Sequence, residues 1–192
     1  MKRLWGIAAI GAALWCITGT AVAQGGNGAA GNGPAENPVV ETRAVEIPTA
    51  GVVHAGCASV DLDIAFGHVE GAAGTVYREV LFTNRALATC VLRGFPGVSY
   101  VDSSGNRVGA AAVREGDPGP LVTLPHGATA VSVVGSVNVD NFDPDACRKT
   151  PVWGIEVFPP DQTAPLYLPL DGQSGCAGDV SPGRQLKVTS VG

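Results

Sequence analysis

Short apolar runs, each interrupted by glycine or proline, make up most of the chain after Cys57, and no window carries apolar residues at helical spacing. The clearest run is Val60-Asp61-Leu62-Asp63-Ile64-Ala65-Phe66. Its alternation puts Val60, Leu62, Ile64 and Phe66 on one face, the two-residue period of a half-buried strand. Residues 76–83, 90–93, 98–101, 111–114, 121–124, 128–137, 152–158, 166–170 and 185–191 read as further strands. Within them, Thr129, Val131 and Val133 share a side, as do Trp153, Ile155 and Val157, which makes Trp153 a core residue. With 27 Gly and 14 Pro in 192 residues, turns are too frequent for long helices. Pro96-Gly97 fits the centre of a type II turn, and Ser104-Gly105-Asn106 fits a hairpin connection. The expected fold is all-β, an immunoglobulin-like antiparallel β-sandwich. The antibody signature is missing, because Trp153 follows Cys147 instead of lying between Cys57 and Cys90.

The first residues have a different character. Met1, Lys2 and Arg3 precede an apolar run over residues 4–17, then Ala21-Val22-Ala23 and Gln24, the three parts of a secretory signal cleaved after Ala23. The run is shorter than the ~20 residues that span a bilayer, so no membrane span is expected after cleavage. Cys16 is a poor lipid-anchor site, since Trp15 stands where a small residue normally precedes a lipidated cysteine. Residues 24–50 are dominated early by Gly, Ala, Asn and Pro and read as a low-complexity tether that cannot offset its own ordering entropy. The expected organisation is a signal peptide over 1–23, a tether over 24–50 and a single β-sandwich domain over 51–192. The expected location is secreted or associated with the cell envelope.

Four cysteines remain after such cleavage: Cys57, Cys90, Cys147 and Cys176. An even number in an exported chain reads as disulfides. Three pairings are formally possible; the sequential one, Cys57 with Cys90 and Cys147 with Cys176, closes two loops of similar size and is preferred. A zinc or copper site is the alternative, but no cysteine pair has close ligand spacing and only His54, His68 and His126 could add imidazoles. A net charge of −5, from 12 basic and 17 acidic side chains, argues against nucleic acid as a partner.

Catalytic candidates are sparse. His54 near Cys57, with Ser174 in Gly172-Gln173-Ser174-Gly175-Cys176, is superficially like the histidine and serine of secreted serine hydrolases. Asp61, Asp63 or Asp102 would have to orient the histidine, and alternation turns Asp61 and Asp63 away from the apolar face. G-x-S-x-G and H-E-x-x-H are both absent. Asp140-Asn141-Phe142-Asp143-Pro144-Asp145 gathers oxygen ligands in one loop, but without the spacing or glycine of an EF-hand, so Asp140, Asp143 and Asp145 read first as turn carboxylates. Phe142 is either a partner contact or a plug at one end of the sandwich. Tyr77, Tyr100 and Tyr167 fit buried positions with satisfied hydroxyls as well as they fit glycan platforms. No catalytic, cofactor or metal residue is assigned.

Phe82-Thr83-Asn84, followed by Cys90-Val91-Leu92-Arg93-Gly94-Phe95-Pro96-Gly97-Val98, resembles the domain-of-unknown-function 4232 family of exported actinobacterial proteins. The similarity continues through Gly105, Val108, Leu124-Pro125-His126-Gly127, Ala130, Pro159-Pro160 and Cys176, covering roughly residues 57–191. Phe95 stands where tyrosine is frequent in that family, and His126 where glycine-like residues are frequent. The resemblance implies an exported β domain with paired cysteines, often joined through a low-complexity linker to a signal or lipid anchor, and it implies no established catalysis or site. Asn84 is then a turn residue whose amide bonds nearby backbone. The expected function is a non-enzymatic binding module for another exported protein or an envelope glycan, acting through loops at one sandwich end, with Asp140, Phe142, Asp143 and Asp145 as the candidate partner loop. A secreted hydrolase using His54 and Ser174, or a passive structural component of the envelope, are the alternatives.

Overall fold

The computed structural model describes residues 54–192. The expected signal over 1–23, Cys16 within it, and the tether over 24–50 lie outside the described residues. Thirteen strands follow in order: β1 Leu62–Ala72, β2 Thr75–Asn84, β3 Cys90–Leu92, β4 Gly97–Val101, β5 Arg107–Val108, β6 Val113–Glu115, β7 Val122–Leu124, β8 Thr129–Val137, β9 Lys149–Pro151, β10 Gly154–Phe158, β11 Leu166–Pro169, β12 Ser174–Cys176 and β13 Leu186–Thr189. A single α-helical turn, α1 Pro144–Cys147, precedes β9. One sheet has the order β1-β2-β8-β13-β6 and the other β11-β10-β4-β5, with β12-β9 and β3-β7 as small flanking pairs. This is the expected β-sandwich, and its large ladders are antiparallel. At the edge, β6 joins β13 in parallel.

The sequence accounts for the centre of both sheets. In β2 the residues Val80, Phe82 and Asn84 are buried and alternate with half-buried neighbours. Across the interior they meet a shared core that includes Val98, Tyr100, Ile155, Val157 and Leu168 of the second sheet and Leu186 and Val188 of β13. Each fully buried Val, Leu, Ile or Phe of this layer contributes on the order of 1.5–3 kcal/mol relative to exposure. The β1–β2 hairpin turns at Ala73 and Gly74, both with positive φ (48° and 77°), the primed geometry that matches strand twist.

Several expectations are corrected. Val60 does not share the inner face: it lies in a 3₁₀ turn, Ser59–Asp61, and is 89% exposed. The turn forms because the Asp61 amide bonds the Ala58 carbonyl and the Ser59 hydroxyl donates to the Ala164 carbonyl, so the strand begins at Leu62. In β8 the buried parity is Ala130, Ser132, Val134 and Ser136, while Val131 and Val133 are half-buried on the other face. Ser132 is accommodated by donating its hydroxyl to the Thr189 carbonyl. Trp153 is 46% exposed, not core, because it precedes the first residue of β10 and stands beyond the layer that covers Ile155 and Val157. At 94–97, Gly97 opens β4 and the positive φ falls on Gly94 (93°), so the turn is displaced from Pro96-Gly97. The hairpin at Ser104-Gly105-Asn106 forms as expected, with Gly105 at φ 81°.

Candidate functional site

The two ends of β2 separate the residues that sequence reasoning had joined. At its C-terminal end, Asn84 is fully buried; its amide nitrogen donates to the Ala88 and Leu124 carbonyls, and its oxygen accepts from the Ala86 amide. This is the turn-forming role expected of Asn84. His54 belongs to the same end, since the next residue, Ala55, bonds Val91 of β3, and β3 pairs with β7 beside Asn84. His126 is there too, its Nδ1–H donating to the Ala86 carbonyl at 3.0 Å. Ser174 instead lines a cavity at the other end, together with Thr75 and Val76. A ten-residue strand spans about 30 Å, so His54 and Ser174 are not brought together as a catalytic pair.

The disulfides follow the preferred pairing, Cys57 with Cys90 and Cys147 with Cys176. The second anchors the loop that carries the candidate partner residues. Asp143 caps α1 by accepting from the Ala146 amide, and the Asp140 carboxylate pairs with Lys149 at 2.7 Å. Phe142 packs with Val139, Val180 and the Cys147–Cys176 bridge in a small second core, which makes it the plug of the two readings. Asp145 is exposed in α1. The acidic loop is therefore folded on itself, with Asp140 and Asp143 already engaged. Among the described residues no three His, Cys, Asp or Glu side chains are grouped closely enough to hold a metal ion.

The loop end nevertheless encloses a cavity of about 500 Å3 whose walls include Val76, Tyr100, Ser136, Lys149, Gln173 and Ser174. Burial pushes the Tyr100 hydroxyl above its ordinary value, opposed by a hydrogen bond with Ser136 and by the positive charge of Arg78. Arg78 shares the inward parity of Val80 and Phe82, and its Nη1 is buried without a hydrogen-bond partner among the described residues. A buried donor left unpaired costs about 1–3 kcal/mol, more when the group is charged. Arg78 carries no motif; its only signal in the sequence is an arginine at the parity of an apolar strand face. A second, shallower depression of about 270 Å3 lies between Trp153 and Tyr167, beside Asp102 and Ser103.

The family model for a domain of unknown function, DUF4232, matches residues 57–192. The chain belongs to this family. The DUF4232 match begins at Cys57 and so takes in both disulfides, the buried Asn84 turn and every strand of the sandwich. No curated protein and no solved structure matches the chain.

Proposed function

We propose that this DUF4232 domain is an exported, non-catalytic binding module of the cell envelope, which engages another exported protein or an envelope glycan through the loop end of the sandwich. The observation that carries the proposal is the buried, unpartnered Arg78 Nη1 beside Tyr100 and Ser136, two walls of the loop-end cavity. Arg78 stands behind the cavity wall and not in it, and its positive charge acts on Tyr100, so an acidic or polar group of a partner seated against Tyr100 meets a favourable field. Disulfide staples and strand-borne walls supply the rigidity that keeps such a site preorganised. The test is saturable capture from envelope fractions by the purified chain and by Ser174→Trp, which fills the cavity mouth, with an unchanged unfolding midpoint showing that the core, Tyr100 included, is intact. Capture by the wild type and its loss in the variant is expected. Equal capture by both would remove the loop end from the interaction, and no saturable capture by either would favour a passive envelope component.

A further inference from the structure

The depression between Trp153 and Tyr167 has a chemistry of its own. The two residues are 46% and 47% exposed, in a chain whose other tyrosines and phenylalanines are buried or half-buried among the described residues. Isolated exposed apolar side chains are ordinary, but two large aromatic residues flanking one depression form a patch. Neither belongs to a loose loop. The Trp153 amide donates to the Val101 carbonyl, and its own carbonyl accepts from the Leu170 amide. Tyr167 sits within β11, in register with Glu156 of β10.

The polar rim is equally fixed. Asp102 Oδ1 accepts from the amides of Ser104 and Asn106, and Oδ2 accepts from the Asn106 side chain at 3.2 Å, which holds the carboxylate at the edge of the depression. A carboxylate oxygen has room for further donors beyond these. On the same sheet, Arg107 pairs with Glu156 and lies over the Phe158 ring at 5.5 Å. Two exposed aromatic side chains on fixed backbone beside an oriented acceptor match a sugar ring, which presents C–H groups on its faces and hydroxyl donors around its edge.

We propose that Trp153, Tyr167 and Asp102 form a binding subsite for one neutral hexopyranose unit of an envelope polysaccharide. The volume limits the occupant, since about 270 Å3 falls just below the ~300–1,000 Å3 of drug-sized pockets and suits a single ring. The charge limits it as well. Asp102 supplies a negative rim and Glu156 is neutralised by Arg107, so the depression offers no free cation to a uronic acid or a phosphate. The subsite uses different residues from the loop-end cavity, so either can fail alone.

The test is affinity electrophoresis of the purified chain in gels containing a neutral glucan, with free methyl glucopyranoside and glucuronate as competitors. Retardation relieved by methyl glucopyranoside but not by glucuronate is expected. Trp153→Ala should weaken binding at least tenfold and Tyr167→Ala at least threefold, while Trp153→Phe keeps most of it. Unchanged unfolding midpoints in the three variants assign the losses to the surface. Equal retardation of wild type and Trp153→Ala overturns the proposal, as does competition by glucuronate as strong as by the neutral sugar. Absence of retardation, with a protein captured from envelope fractions that Trp153→Ala no longer binds, overturns it in favour of a protein interface.

Discussion

Asn84 shows how one buried amide can govern a fold. It ends β2, closes the turn to Ala88 and ties that turn to β7 through the Leu124 carbonyl, all without contact with water. Asn84→Ala would leave two carbonyls and one amide without their partner, and the expected loss is roughly 2–4 kcal/mol in urea unfolding. A loss below about 1 kcal/mol would mean that the turn does not depend on the amide. Asp102 makes a prediction of the opposite kind, since it is exposed. Backbone and side-chain bonds from Asn106, then the Ser104 amide, hold its carboxyl below the ordinary value of 3.8. A depressed folded value means that its contribution to the hairpin is complete above 3.8 and is lost as pH falls through the lower folded midpoint. A carbon-detected titration of the Asp102 carboxyl should therefore show a midpoint below 3.8, returning towards it in Asn106→Ala.

Among the elements, the short pairs depend most on covalent help. The pairs β3-β7 and β12-β9 have three residues per strand, too few for independent stability. Each contains a cysteine of a different bridge: Cys90 in β3, Cys176 in β12. The bridges close chain separations of 33 and 29 residues, for which the chain-entropy estimate is about 3.5 kcal/mol each. Paired serine substitutions, Cys57→Ser with Cys90→Ser or Cys147→Ser with Cys176→Ser, should each lower unfolding stability by about that amount. Only the second pair should also loosen the Phe142 plug, because Phe142 packs on that bridge. Amide exchange around Val139 and Val180 reads this difference, and equal exchange in the two double variants would refute it.

For the whole molecule, β13 carries a disproportionate share of the closure. It joins β8 to β6, and its Leu186 and Val188, with Val191 beyond it, are almost fully buried in the common core. Gln185, just before it, is buried and bonds both the amide and the carbonyl of Cys176 and the Val108 carbonyl, linking both sheets to the β12 pair. Val131 and Gly192 exchange backbone bonds past its end. Ending the chain after Arg184 should abolish cooperative unfolding, seen as loss of the near-ultraviolet signal and a flat urea profile. A truncated chain with an intact transition would show that the first twelve strands hold the core alone.

Much of this was legible in the sequence where local chemistry is decisive. Short apolar runs bounded by turn residues located β2, β4, β8, β10 and β13, because a buried strand needs only a few apolar residues between turns. The cysteines fell into the preferred pairs, and Ser104-Gly105-Asn106 formed the hairpin that its small, αL-tolerant residues favour. Periodicity failed at strand ends, where Val60 falls in a 3₁₀ turn and Trp153 passes beyond the layer that covers Ile155 and Val157. It also failed in β8, where the side that faces inward depends on the opposing sheet and not on which residues are more apolar. The sequence by itself determined the class of fold and the four cysteines available for staples, with a preference for how they pair, since strand period, turn residues and thiol number are local properties. Only the tertiary structure decided that His54 and Ser174 lie at opposite ends, that the Arg78 Nη1 is buried without a hydrogen-bond partner among the described residues, and that Trp153 and Tyr167 flank one depression, because each depends on which distant strands become neighbours.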